Sequence, residues 1–65
     1  MEKEHTNTPM AVRPEQAARM IGVGRTKVFE LIAAGEIRAF YVGRARLIDV
    51  ADLRRFLDAR KQAAA

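Results

Sequence analysis

A chain of 65 residues without cysteine is limited to one small domain, and a domain of this size buries only about 60% of the surface exposed by its unfolded chain. The lack of cysteine excludes disulfide bonds and thiolate metal sites, and the one histidine, His5, lies in a polar segment where an imidazole is usually solvated. The net charge is +4, which favours a polyanionic partner, although charge alone equally fits a need for solubility.

Several classes of protein are unlike this sequence. No apolar run approaches the roughly 20 residues that cross a bilayer, and residues 1–10 lack the apolar stretch of a secretory signal. We therefore expect a cytoplasmic protein that does not bind membranes. No nucleophile–base constellation and no phosphate-cradling glycine loop is present. We accordingly expect no enzymatic activity, no catalytic residue, no cofactor and no metal site.

The first predicted element is a helix that begins at Pro14, because the missing N–H of proline would have no partner in a first turn. Residues 1–11 are mostly polar, and they are predicted to form a flexible tail before this helix. Gly22 is predicted to end it. The apolar positions at helical spacing are Ala17, Ala18 and Ile21, with Met20 on the flank.

The second predicted helix has Gly24 as its N-cap and Gly35 just past its end. Its buried stripe is predicted at Val28, Leu31 and Ile32. Two helices that cross steeply need a small residue at their contact and a glycine in the turn, which Ala18 and Gly22 supply. This spacing is typical of a helix-turn-helix, although any two packed helices also fit it. Ile21 and Val23 are predicted to point into the core beside the turn.

A helix-turn-helix presents the start of its second helix to the major groove of DNA. The residues at that position are Arg25, Thr26 and Lys27, with Glu30 one turn later. Arginine, lysine and threonine bond to base edges or to phosphates, and the free N–H groups of a helix start favour phosphate. Phe29 beside them is predicted to pack under the hairpin that follows or on the last helix, or alternatively to touch a thymine methyl group.

A small β-hairpin is predicted next, because residues 37–42 are rich in β-branched and aromatic side chains and precede a turn at residues 43–45 and a return strand at 46–48. Leu47 and Ile48 are adjacent, so a regular strand can turn only one of them toward the core, and the sequence does not decide which. A basic hairpin after a helix-turn-helix is typical of a winged helix, so phosphate or minor-groove contacts are expected from Arg44, Arg46 and Arg38. The alternative is that these arginines only keep the hairpin soluble. Tyr41 is predicted either to donate a hydrogen bond to phosphate or to be a half-buried aromatic side chain of the strand.

The third predicted helix has Asp49 as its cap and Asp52 in its first turn. Its apolar face is predicted at Val50, Leu53, Phe56 and Leu57. The basic residues on the other side are expected to be solvated rather than to bind DNA; they are Arg54, Arg55, Arg60 and Lys61. Residues 60–65 are predicted to fray.

Residues 13–57 resemble the excisionase-type winged-helix domain, a small relative of the DNA-binding domain of MerR regulators. The segments that carry the resemblance are PEQAARMIGVGRTKVFELIAAGEI, YVGR and DLRRFL. It implies a mainly α-helical winged helix-turn-helix over residues 12–59, with Arg25, Thr26 and Lys27 in the major groove and the Gly43-Arg44 turn as the wing. The chain departs from the family pattern at Arg13 and Gly24, where Ser or Thr and Ser are usual, and at Tyr41 and Leu47, which are often basic.

The resemblance implies a protein that binds double-stranded DNA, either as an excisionase that steers an integrase toward excision or as a small transcriptional regulator. The residues expected to contact DNA are Gly24, Arg25, Thr26, Lys27, Glu30, Arg38, Tyr41, Arg44 and Arg46. Further expected partners are an integrase or recombinase and other copies of the chain, bound cooperatively on DNA. The alternative is a protein-interaction module for an integrase or polymerase subunit, with DNA binding secondary.

Overall fold

The computed structural model describes residues 9–64, so residues 1–8 of the predicted tail and Ala65 lie outside the described residues. Within 9–64 there are three helices and three strands, in the order β1 (Ala11–Val12), α1 (Pro14–Ile21), α2 (Arg25–Ala33), β2 (Ala39–Val42), β3 (Ala45–Asp49) and α3 (Val50–Ala64). The predicted fold, helix-turn-helix followed by a two-stranded wing and a last helix, is confirmed.

The corner between α1 and α2 depends on Gly22, which has a φ of 81° in the left-handed region. The N–H groups of Gly22 and Val23 both donate to the carbonyl of Ala18, at 2.9 and 3.0 Å, and so satisfy the end of α1. Val23 is 38% exposed, so the prediction that it points into the core is wrong. It follows the left-handed residue, where the chain has already turned away from α1, whereas Ile21 packs against the core as predicted.

The core lies where the three helices meet one face of the sheet. Ala17 and Ala18 are buried on α1, and their small side chains let α2 approach closely. The predicted stripe of α2 is confirmed, since Val28 and Leu31 are buried and Ile32 packs against them. The remaining buried apolar side chains among the described residues are Val12, Pro14, Ile37, Ile48 and Leu53.

The wing is the antiparallel hairpin of β2 and β3, in which Ala39 pairs with Ile48 and Val42 pairs with Ala45. Its loop therefore has two residues, Gly43 and Arg44, and only Gly43 has a positive φ, of 60°. A two-residue hairpin loop with a glycine of positive φ at its first position matches the twist of the flanking strands. The predicted turn at 43–45 is shorter by one residue, and the strand predicted from Ile37 begins at Ala39.

The pairing also decides which side chain of β3 points inward. Ile48 is fully buried, whereas Leu47 is half-buried on the opposite face, beside its cross-strand partner Phe40. Phe40 is 41% exposed, so the outer face of the wing is apolar and open.

Strand β1 was not predicted, and Ala11 lies in it instead of in the assigned tail. Val12 pairs with Ile48, which makes β3 the central strand of a sheet ordered β1-β3-β2. The Val50 N–H donates to the carbonyl of Met10 at 3.0 Å and extends this attachment. A strand of two residues shows no periodicity, so only its partner strand reveals it.

Helix α3 begins as predicted, since the Asp49 carboxylate accepts the Ala51 N–H at 2.9 Å. It continues to Ala64, past the predicted limit of the domain at residue 59. Arg60 stabilises this extension, because it lies over the Phe56 ring at 5.3 Å and pairs with Glu36 at 3.3 Å. None of the helices described here is long and apolar enough to cross a membrane.

Candidate nucleic-acid interface

The first turn of α2 presents three polar side chains to solvent, Arg25, Thr26 and Lys27. Their position follows from the helical period, because Val28 and Leu31 on the opposite side are buried against α1. Gly24 occupies the predicted N-cap position, and no side chain caps the helix there. The first turn also contains no acidic residue, so the free N–H groups and the positive end of the helix dipole face outward unneutralised by this helix.

Two carboxylates lie beside these cations. Arg25 Nη1 is 3.4 Å from Glu15 Oε2, and Lys27 Nζ is 3.2 Å from Glu30 Oε1. Exposed pairs of this kind contribute about 1 kcal/mol or less, so phosphate oxygens can displace the carboxylates. Glu30, predicted as a DNA contact, is the partner of Lys27 in the free protein. Glu15 was missed, because it is ten positions from Arg25 and only the helix crossing brings them together.

Arg44 stands at the tip of the wing, in the two-residue loop. Its side chain is exposed, and no other described residue forms an ion pair or hydrogen bond with it. A tip arginine of this kind is free to reach a phosphate or the minor groove.

Arg46 is placed differently from Arg44, although both are basic residues of the wing. The Arg46 Cζ lies 5.4 Å from the centre of the Phe29 ring, within the range of a cation–π contact. Its Nε atom is buried and has no hydrogen-bond partner among the described residues. Phe29 is half-buried under this guanidinium, which confirms the prediction that it packs under the wing. In the free protein the Arg46 side chain is therefore packed between elements.

Tyr41 lies in β2 near the loop, whereas Arg38 lies just before the other end of that strand. Tyr41 pairs with Arg46 across the hairpin and is 65% exposed, so it is not the half-buried aromatic of the alternative prediction. Arg38 precedes the strand, at the end far from the loop, and its backbone N–H donates to Asp52 Oδ2 at 3.0 Å. About five residues of extended chain, roughly 16 Å, separate Arg38 from the wing tip. The structure thus places Arg38 at the base of the wing, apart from Arg44.

The cations of α3 are largely paired within the chain, in keeping with the prediction of a solvated face. Arg55 Nη2 is 2.7 Å from Asp52 Oδ1, and Lys61 Nζ is 3.8 Å from Asp58 Oδ1. The bond from Arg55, followed by the Arg38 N–H, lowers the pKa of Asp52 below its ordinary value. Asp52 thereby links the first turn of α3 to the base of the wing.

Two grooves of the described surface lie away from α2. One, of about 240 Å³, runs between α1 and α3 over Met20 and Leu57, and another, of about 310 Å³, lies between the base of the wing and α3. Within residues 9–64 no three His, Cys, Asp or Glu side chains cluster as metal ligands would.

The chain was compared with known proteins. A family model described as a helix-turn-helix domain matches residues 12–61. A curated relative from Saccharopolyspora erythraea, described as a probable excisionase, is 50% identical over 34 residues, which cover 52% of this chain and 35% of the relative. The chain thus aligns with about a third of the length of that relative. No solved structure gives a significant match.

Proposed function

Because the chain belongs to the helix-turn-helix family of the excisionase type, we propose that it binds double-stranded DNA in a sequence-specific manner. The proposal includes α2 in the major groove and the wing on the backbone or in the minor groove. In this role the chain binds DNA, and any bond breakage belongs to a partner enzyme.

The observation that carries the proposal is the exposed first turn of α2. Arg25, Thr26 and Lys27 surround a helix start that has no side-chain cap and no acidic residue in its first turn. Such a start binds a phosphate through its N–H groups while the adjacent side chains reach base edges. The carboxylates beside Arg25 and Lys27 hold these side chains only weakly, since both pairs are exposed.

The wing supplies the second point of contact. Arg44 in its loop is exposed, and the stack of Arg46 on Phe29 joins the hairpin to α2. Two contact points on one rigid unit restrict how the domain lies on a duplex, which supports a defined register on DNA.

We further propose that the biological role is that of an excisionase, which favours excision by a recombinase, in preference to that of a transcriptional regulator. The support is the relative described as a probable excisionase and its 50% identity over 34 residues. One such domain contacts only a few base pairs, so we expect cooperative binding of several copies to repeated sites. A single copy bound at nanomolar affinity to an isolated short site at physiological salt would contradict this expectation.

The test begins with selection of bound sequences from a random duplex pool, followed by affinity measurements on the selected duplex. Three exposed cations, Arg25, Lys27 and Arg44, predict a slope of log affinity against log salt of about −2.7, which is roughly a 40-fold loss between 50 and 200 mM salt. The NMR chemical shifts of the backbone amides of residues 25–27 and of Gly43 should change when the duplex is titrated in. Affinity that barely changes with salt, together with unmoved amides, would refute DNA binding.

Matched variants separate this function from the alternative of a protein-interaction module. Arg25→Ala together with Lys27→Ala should abolish selective duplex binding. Arg54→Ala removes an exposed cation from α3 and should leave affinity nearly unchanged. Retention of duplex binding by the double variant, with loss of binding to a recombinase, would favour the protein-interaction role.

A further inference from the structure

We propose that Arg46 is a positioning residue that holds the wing at a set distance from α2, and that it does not bind phosphate. The proposal rests on the proposed DNA-binding function and assigns to Arg46 a different role from that of Arg44, two residues earlier. The geometry of the guanidinium carries it.

The direction of the side chain is the first argument. Arg46 and Ile48 are two positions apart in β3, so their side chains lie on the same face of the sheet. That face points to the core, and Ile48 is fully buried there. Arg46 lies on the same face as Ile48 but past the edge of the core, where its side chain contacts the Phe29 ring of α2. Its cross-strand neighbour on the same face is Tyr41.

The buried Nε atom is the second argument. This N–H has lost its water and gained no acceptor among the described residues, which carries a free-energy cost. A phosphate-binding arginine has no need for that cost, because its whole guanidinium remains in solvent until DNA arrives, as that of Arg44 does. The contact with the Phe29 ring at 5.4 Å offsets part of this cost.

The contact between Arg46 and Phe29 lies between the two parts of the domain that are proposed to bind DNA. Phe29 lies one helical turn after Arg25, and Arg46 lies two residues after Arg44, so the stack connects the two proposed DNA contact points by a short path. Among the described residues no side-chain hydrogen bond or ion pair joins the hairpin to α2, and the apolar contact between them lies at the base of the wing, around Ile48. Without the stack, the wing is free to move in the unbound protein. DNA binding must then restrict that motion, and the free-energy cost of doing so lowers the affinity for DNA.

The experiment uses Arg44→Ala as a reporter of wing engagement. On the selected duplex, R44A in the wild-type background should lower affinity and reduce the salt slope by about 0.9. Arg46→Met keeps a long side chain on the ring and loses the charge. It should leave the salt slope unchanged, keep affinity within about threefold of the wild type, and preserve the R44A effect.

Phe29→Leu and Arg46→Ala should both remove the tie. In each background the fold-loss caused by R44A should shrink toward one, while the fold-loss caused by Arg25→Ala stays as in the wild type. Circular dichroism establishes whether each variant is folded. If R46A does not fold, F29L alone tests the loss of the contact. Combining F29L with R46A should add little to either change alone, because both remove the same contact.

Three results would overturn the proposal. A salt slope reduced by about 0.9 in R46M and restored in Arg46→Lys would make Arg46 a phosphate ligand. An R44A effect that persists in F29L and R46A, with only the melting temperature lowered, would make the stack merely structural. Failure of the wild-type chain to bind any duplex would overturn both this proposal and the proposed function. The first two results would overturn only the role of Arg46 and would leave DNA binding intact.

Discussion

Replacing Asp52 by alanine should detach the base of the wing from α3. The Asp52 carboxylate accepts the backbone N–H of Arg38 through Oδ2 at 3.0 Å and the guanidinium of Arg55 through Oδ1 at 2.7 Å. Its side chain is only 16% exposed, whereas that of Arg55 is 72% exposed. The substitution removes an acceptor that joins residues 14 positions apart, and leaves the Arg38 N–H to water.

The expected magnitude follows from the Arg38 bond, because the exposed Arg55 contributes little. A hydrogen bond to a charged acceptor contributes about 1.5–3 kcal/mol when buried, and partial access to water reduces this to about 1 kcal/mol. In a domain of 60 to 100 residues, that loss lowers the melting temperature by about 4–8 °C. Total stability at this size is only about 3–10 kcal/mol, so the change is readily measured.

The pH dependence of the loss identifies its cause. The bonds from Arg55 and from the Arg38 N–H hold the pKa of Asp52 below 3.8, its value without these partners. A carboxyl whose pKa is lowered by folding contributes its full stability above the unfolded value and loses it as the pH falls through the folded value. The difference between wild type and D52A should therefore be equal at pH 7 and pH 5, and should be smaller at pH 2, because the carboxyl gains a proton as the pH falls through its lowered pKa.

Thermal and urea unfolding, followed by circular dichroism at these three pH values, measure the difference. The matched control is Asp58→Ala, on the same helix, which removes an exposed carboxylate 3.8 Å from Lys61. Its effect should stay within about 0.5 kcal/mol of zero. A loss of stability in D58A as large as that in D52A, or a D52A difference undiminished at pH 2, would contradict this role of Asp52.

The other predictions concern the core and two glycines. Ile48→Ala empties a fully buried position and should cost about 2–4 kcal/mol, measured by urea unfolding; a loss below 1 kcal/mol would contradict the packing described. Gly43→Ala meets no atom within 4 Å, so its expected cost of about 1 kcal/mol comes from the positive φ alone, and an unchanged melting temperature would contradict that conformation. Gly24→Ser should gain a few tenths of a kcal/mol by capping α2, measured in the same way; a destabilised protein would show that no side chain fits there.

Local signals in the sequence were sufficient for most of the architecture. Pro14 begins α1 and Asp49 caps α3, as their side chains predict, because capping depends on backbone groups two or three residues away. The stripe with Val28 and Leu31 is likewise readable, since the helical period alone brings its members to one face.

The exposure of the cations at residues 25–27 was predicted, and their ion pairs were not. The exposure of residues 25–27 follows from the period of α2, so the sequence indicates which cations face outward. The pairing of Arg25 with Glu15 does not follow, because the distance between them depends on the angle at which α1 and α2 cross.

By itself, the sequence determined the helices, the hairpin and the basic first turn of α2, because each depends on interactions within a few residues. Only the tertiary structure decided that Val12 joins the sheet, that Ile48 faces inward in place of Leu47, and that Arg46 lies on Phe29. The physical reason is that these contacts join residues far apart in the chain, and strand register and helix crossing set their geometry. The two wing arginines, chemically identical and two positions apart, therefore differ in placement only once the chain is folded.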